Sequence, residues 1–375
     1  MERLMESSIA LDRRSGPAPA AEGHAAPAAQ VRAVKERIAD DRAMLRAAAD
    51  LTRDILAHRP AIYWADLIGS VVVGYAAFAA AVVAPGGWAV LAAIVSVLAL
   101  YRAGSFIHEL THFKPSAVPG FHIAWNLIAG IPLLVPSFMY EGVHNLHHAR
   151  TRYGTSEDPE YLPLALMKPW TLPLFIVISA LGPVALLFRF AVLTPLSIIP
   201  AIRRLVIERY SSLSINPGFR RRAPEGAAHT QWLWQEILAS VWAIAIVAMV
   251  ATGMVPLRTF LIGLGIASAV MVINQVRTLV AHLWENEGEA MTVTAQYLDT
   301  VNVPPPALLP MLWAPVGLRY HALHHLLPGL PYHALGEAHR RISAALEQES
   351  PYHKASYPGL PGLVAKIARS TMVAR

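Results

Sequence analysis

The sequence predicts an all-α integral membrane protein with four transmembrane helices in two hairpins, interfacial helices and a cytoplasmic histidine-rich cap. Three observations carry this. Hydrophobic residues make up 55% of the 375 and charged residues only 15%, with a mean hydropathy of +0.41, whereas a soluble domain carries about 25% charge. Four apolar runs are each long enough for the roughly 20 residues that a spanning helix needs. Histidines cluster directly after the second run and again after the fourth.

Residues 1–30 are rich in Ala, Pro, Gly and Ser and are expected to be disordered. The Ala, Arg, Glu and Leu mixture over 31–60 predicts a cytoplasmic helix leading to the membrane. The membrane domain is expected over 61–345 and a C-terminal tail over 346–375. Within that domain, the first two spans are read as 62–84 and 88–107, broken by Pro85-Gly86-Gly87. The stretch 121–139 is apolar but interrupted by Gly130, Pro132 and Pro136, which predicts an interfacial segment. The stretch 171–200 contains Pro173, Pro183, Pro195 and Pro200 and is too short for two crossings, so an in-plane or dipping helix pair is expected. Spans at 235–252 and 257–281 flank a turn at Val255-Pro256.

Arg32, Lys35, Arg37, Arg42, Arg46 and Arg53 precede the first span, and Arg203, Arg204, Arg209, Arg220, Arg221 and Arg222 precede the third. By the positive-inside rule both termini and every histidine cluster then lie on the cytoplasmic side, as in the inner or plasma membrane of a bacterium. The net charge of +6 comes with no nucleic-acid recognition motif, so no nucleic acid is expected as a partner. The absence of cysteine excludes disulfides and any cysteine-ligated cluster.

His108 and His112 form HELTH, His144, His147 and His148 form HNLHH, and His321, His324 and His325 form HALHH. On a helix, positions i, i+3 and i+4 share a face, so each group is expected to aim its imidazoles at a common point. Neutral imidazole binds iron, copper, nickel and zinc, and eight ligands exceed the needs of one ion. HELTH alone also matches the zinc protease pattern, with Glu109 as base. Metal-bound histidines commonly donate their second N–H to a carboxylate. Glu109, Glu141, Glu157, Asp158, Glu160, Glu285 and Glu287 lie nearby in sequence, with Glu109 and Glu285 the leading candidates for that support. TSEDPEYLPL after the second cluster reads as loop.

From about residue 60 to 340, the three clusters, their order and their placement after two hairpins resemble the membrane fatty acid desaturase and hydroxylase superfamily. The resemblance implies two non-haem iron ions held by His108, His112, His144, His147, His148, His321, His324 and His325. It adds His282 as a ninth ligand. Thr278 stands where some relatives carry an asparagine that supports the metals through water. The resemblance further implies O2 as co-substrate and a membrane lipid or acyl-chain substrate. Two electrons would come from a separate ferredoxin, flavoprotein reductase or haem protein. A fatty acid (acyl-lipid) desaturase is the first expectation; a lipid or carotenoid hydroxylase of the same superfamily is the alternative, and an intramembrane zinc protease a more distant one. Trp125, Trp284 and Trp313 are candidate walls of a lipid tunnel.

Overall fold

The computed structural model describes residues 38–307 and 309–373; the expectation for residues 1–30 lies outside them. The described residues are almost entirely helical and contain no named strand, only isolated bridges in the histidine-rich part. Four helices are long and apolar enough to cross a membrane: α2 (Pro60–Val83), α3 (Gly86–Leu110), α7 (Gly226–Ala251) and α8 (Leu257–Leu279).

Local chemistry sets their ends. Pro60 opens α2, where its missing N–H costs no helix bond. Gly86 opens α3 at φ +53°, a left-handed conformation that a β-carbon would penalise. The two helices pack along each other's length, and they approach closely at Gly74. A β-carbon there would lie 2.6 Å from Leu100 Cδ2 and 3.3 Å from the Leu100 backbone N. Ser96 Oγ uses that proximity to donate to the Gly74 carbonyl at 2.9 Å. Outward faces carry Val72, Val73, Val90, Leu91, Ile94, Val241 and Leu261 exposed, an apolar surface that a bilayer would cover.

The second pair is not a closed hairpin. Helix α8 packs on α3 and on the bent pair α4 (Thr171–Ala180) and α5 (Gly182–Phe188), while α7 packs chiefly against 189–193. The pair predicted over 171–200 is therefore wedged beside α7 and α8. Its two arms, 171–180 and 182–196, meet at a 55° bend, where Gly182-Pro183 restarts the helix. Arg189 donates to Glu236 Oε1 at 2.5 Å and Arg203 to Glu236 Oε2 at 2.6 Å. That bond joins the wedge, and the α6 helix (Pro200–Tyr210) behind it, to α7.

The 121–139 segment is no span. Phe121–Trp125 runs into a π turn at Asn126–Gly130, and the chain then folds back. Asn126 closes the fold, donating to Ser137 Oγ and accepting from the Ser137 N–H, both at 2.8 Å.

Two expectations need correction. The helix predicted over 31–60 is, in its described part, a short α1 (Arg42–Asp50) followed by a single turn at Arg53–Ile55. The break follows from Thr52, whose hydroxyl bonds back to the Ala48 carbonyl at 2.7 Å, and from Met44 and Ala48 burying against the cap. The segment taken as a C-terminal tail is, as far as it is described, part of the core. Leu363 and Ile367 on the Leu360–Ala368 helix pack with Trp284 and Val280, and Tyr352 is fully buried.

Replacing Gly74 by Val should wedge α2 from α3. We expect a loss of about 1–3 kcal/mol, read as a lower melting temperature in detergent than for Gly69→Val, where a β-carbon meets no atom within 4 Å.

Candidate metal centre

His108 sits in the last turn of α3; the helix ends at Leu110, and a further turn, with the His112 N–H on the Glu109 carbonyl at 2.9 Å, presents His112. The second cluster is a single helical turn, His144–His147, with His148 as its cap. His282 follows α8 and is bridged to Thr300. The third cluster opens the helix His321–Leu326, whose free Leu323 N–H is capped by Asn302 Oδ1 at 3.0 Å.

These elements bring all nine histidines together in two groups. His108, His112, His144, His148 and His324 form one, and His147, His282, His321 and His325 the other; within each, the candidate ligand atoms lie within 4.8 Å of one another. The expectation that each cluster aims at a single point holds for HELTH, whose His108 and His112 share a group, and is corrected for the other two. In both His-x-x-His-His turns the i and i+4 histidines share a group and the i+3 histidine turns to the other.

Carboxylates and a hydroxyl fix the tautomers. The Nδ1–H of His144 donates to Glu160 Oε1 at 2.8 Å, and that of His147 to Asp158 at 2.9 Å. Asp158 is itself held by the Gly154 and Glu160 N–H groups, both at 2.8 Å. His282 Nδ1–H donates to the Tyr153 hydroxyl at 2.9 Å, which donates in turn to Asp299 at 2.9 Å. With their protons on Nδ1, His144 and His282 expose bare Nε2 lone pairs. Yet Nε2 of His144 and of His148 are 3.0 Å apart, His148 and His324 3.1 Å, His282 and His321 3.0 Å, and His321 and His325 3.1 Å. Converging lone pairs repel unless a cation lies between them. Nitrogens bound at about 2.1 Å on perpendicular axes would stand about 3 Å apart, so the spacing fits shared metal ions. Both ring nitrogens of His108 and Nε2 of His112 are buried without a hydrogen-bond partner, as unfilled ligand atoms are.

Burial holds most of the cluster neutral, the form that ligates. It lowers His112 to about 3 and takes His144, His148, His282, His321, His324 and His325 well below their ordinary value. Burial also opposes charge on His147, but the adjacent Asp158 outweighs it and raises that imidazole. Burial pushes Glu160 up to about 7.

Of the two leading candidates for second-proton support, Glu109 does not take that place. Glu109 accepts instead from the Tyr63 hydroxyl at 2.6 Å and the Tyr332 N–H at 3.2 Å. The protease reading thereby loses its base. Glu285 is half-buried beside Tyr161. The carboxylates on the imidazoles are Glu160 and Asp158, with Asp299 acting through Tyr153. The first two lie in the stretch read as plain loop. Asp299 has no local signal, because contacts distant in sequence bring it near, among them the His282–Thr300 bridge and the Leu283 N–H on its carbonyl. Trp125 and Trp284 are fully buried and donate to the Ala103 and Leu279 carbonyls, both at 2.7 Å.

The fatty acid desaturase family model matches residues 85–357, which contain every one of these histidines. The chain belongs to the fatty acid desaturase family. Within that family it is similar to a ceramide hydroxylase of Caulobacter vibrioides (strain NA1000 / CB15N), 48% identical over 326 residues, which is 86% of this chain and 93% of that protein.

Asp158→Asn should weaken metal binding by about 10–100-fold, measured as metal retained per chain after dialysis against a chelator. Glu109→Gln should retain metal at the unaltered level, since its partners are Tyr63 and Tyr332.

Proposed function

We propose that this protein is a membrane lipid hydroxylase that inserts oxygen from O2 into a C–H bond of a ceramide or a closely related N-acyl lipid, using two non-haem iron ions. The observation that carries this reading is the 48% identity to a ceramide hydroxylase over nearly that protein's whole length. Desaturation, the first expectation from the sequence, draws support from the family match but not from the relative.

The two histidine groups would each hold one iron ion. Bound iron would supply the O2 chemistry that side chains lack, since no acid or base of ordinary strength breaks an unactivated C–H bond. Hydroxylation balances as one C–H bond, O2, two electrons and two protons giving one C–OH and one water. The protein's own part is positional. Glu160, Asp158 and the Tyr153–Asp299 pair hold the imidazoles in one tautomer, and burial of the cluster keeps bulk water from it. With no cysteine in the chain, the electrons would come from a separate ferredoxin, flavoprotein reductase or haem protein. The charge placement around the spans supports a bacterial inner membrane with the histidines facing the cytoplasm.

The full chain, expressed in cells supplied with ceramide under isotopically labelled O2, should yield a ceramide carrying one labelled hydroxyl. His321→Ala should yield none. An unlabelled alkene in place of the alcohol would move the reading to desaturation.

A further inference from the structure

Arg277 lies near the histidine end of α8, nine-tenths buried, in a helix that otherwise reads as a membrane span. Its Nη2 donates to Asn274 Oδ1 at 3.2 Å, and its Nε is buried with no partner. Among the described residues no carboxylate forms an ion pair with it; the buried arginine of the wedge, Arg189, has Glu236. A buried cation without a carboxylate in direct contact is costly, and an ionisable group within a span is by default a functional one.

Its neighbourhood is equally one-sided. The Tyr101 hydroxyl, against which Arg277 lies, donates to the Trp313 carbonyl at 2.8 Å. The Trp313 indole N–H is buried without an acceptor. Tyr101 and His108 are two turns apart on one face of α3, which places this spot about 10 Å along the helix from the first metal group, toward the middle of the membrane. Arg277 is also within electrostatic reach of His282, His321 and Glu160. Two buried donors with no acceptor, beneath a candidate metal pair and inside the apolar layer, form half of a hydrogen-bonding site.

We propose that Arg277 and the Trp313 indole N–H bind an acceptor oxygen of the lipid substrate, the amide carbonyl when that substrate is a ceramide. An alkyl chain would leave both donors unmet, so it is the polar linkage that enters here, and the short distance to the histidines directs oxidation to carbons near that linkage. Asn274 orients the guanidinium, and Tyr101 holds the Trp313 backbone. This rests on the proposed ceramide hydroxylation for the identity of the oxygen. Arg277 is thus a specificity-determining residue, and no metal ligand.

The test measures binding of a fluorescent ceramide to the purified full-length protein, together with kcat, KM, metal content and the position of the new hydroxyl. Arg277→Leu should weaken binding and raise KM by about tenfold or more, with metal per chain unchanged and the hydroxyl spread over several carbons. Arg277→Lys should recover part of the affinity. Trp313→Phe should give a smaller shift in the same direction, and it decides alone if Arg277→Leu does not fold. Unchanged binding and product position in both variants, or loss of metal with KM unchanged, overturns the proposal. Wild-type protein that binds ceramide without hydroxylating it would sink the hydroxylase reading and leave the binding site standing. Wild-type activity with undiminished binding by Arg277→Leu would do the reverse.

Discussion

Nine imidazoles are packed so that their unprotonated nitrogens point at one another, and the rest of the chain is built to hold that repulsive arrangement in place. Left to itself, a histidine pair 3 Å apart would share a proton or swing away. Glu160 and Asp158 prevent this by accepting hydrogen bonds from the Nδ1–H groups of His144 and His147, and Tyr153 does the same for His282 with Asp299 behind it. These groups are buried, so the strain has no outlet into water. A cation at each point of convergence converts the repulsion into bonding. The metal-site geometry is therefore set by carboxylates that, as placed, bond to protons on the far side of the rings.

The same constraint explains the division of labour between cap and membrane. Helix α3 delivers His108 rigidly, and the end of α8 delivers His282. The other ligands sit on single turns and short helices that could not stand alone. They are fixed by long-range bonds. Asn302 caps the third cluster, its N–H binds Ala355, and its carbonyl accepts from Tyr357. Glu109, set between Tyr63 and Tyr332, fastens the cap to α2 and α3. Its buried carboxylate has structural work that the zinc-protease pattern had assigned to catalysis.

Much of this was legible in the sequence because it is written in local patterns. Spans α2 and α3 begin and end within a few residues of the expected bounds, because Pro85 and the glycines beside it interrupt otherwise unbroken apolar runs. The eight box histidines were readable from their spacing, and the family resemblance added His282 from its place after the fourth span. What was not legible depends on contacts distant in sequence. The alternation of i, i+4 and i+3 histidines between two points needs three elements to meet before it has meaning. Asp299 becomes part of the site only through contacts across the cap. The opening of the second helix pair follows from the wedge held by Arg189 and Glu236, which no periodicity records. The short α1 and the buried 351–373 helices were misjudged for the same reason: their partners lie at the other end of the chain.

The sharing of His324 has a consequence for how the protein is made. The first histidine group draws four ligands from the first half of the chain but its fifth from the last cluster, and the second group takes two of its four from that cluster. Synthesis runs from the N-terminus, and the helices that brace the third cluster emerge after it. Neither group is complete until residues 321–325 have left the ribosome. A nascent chain already inserted in the bilayer thus offers only partial ligand sets, and full metal loading is deferred until the cap can close over it.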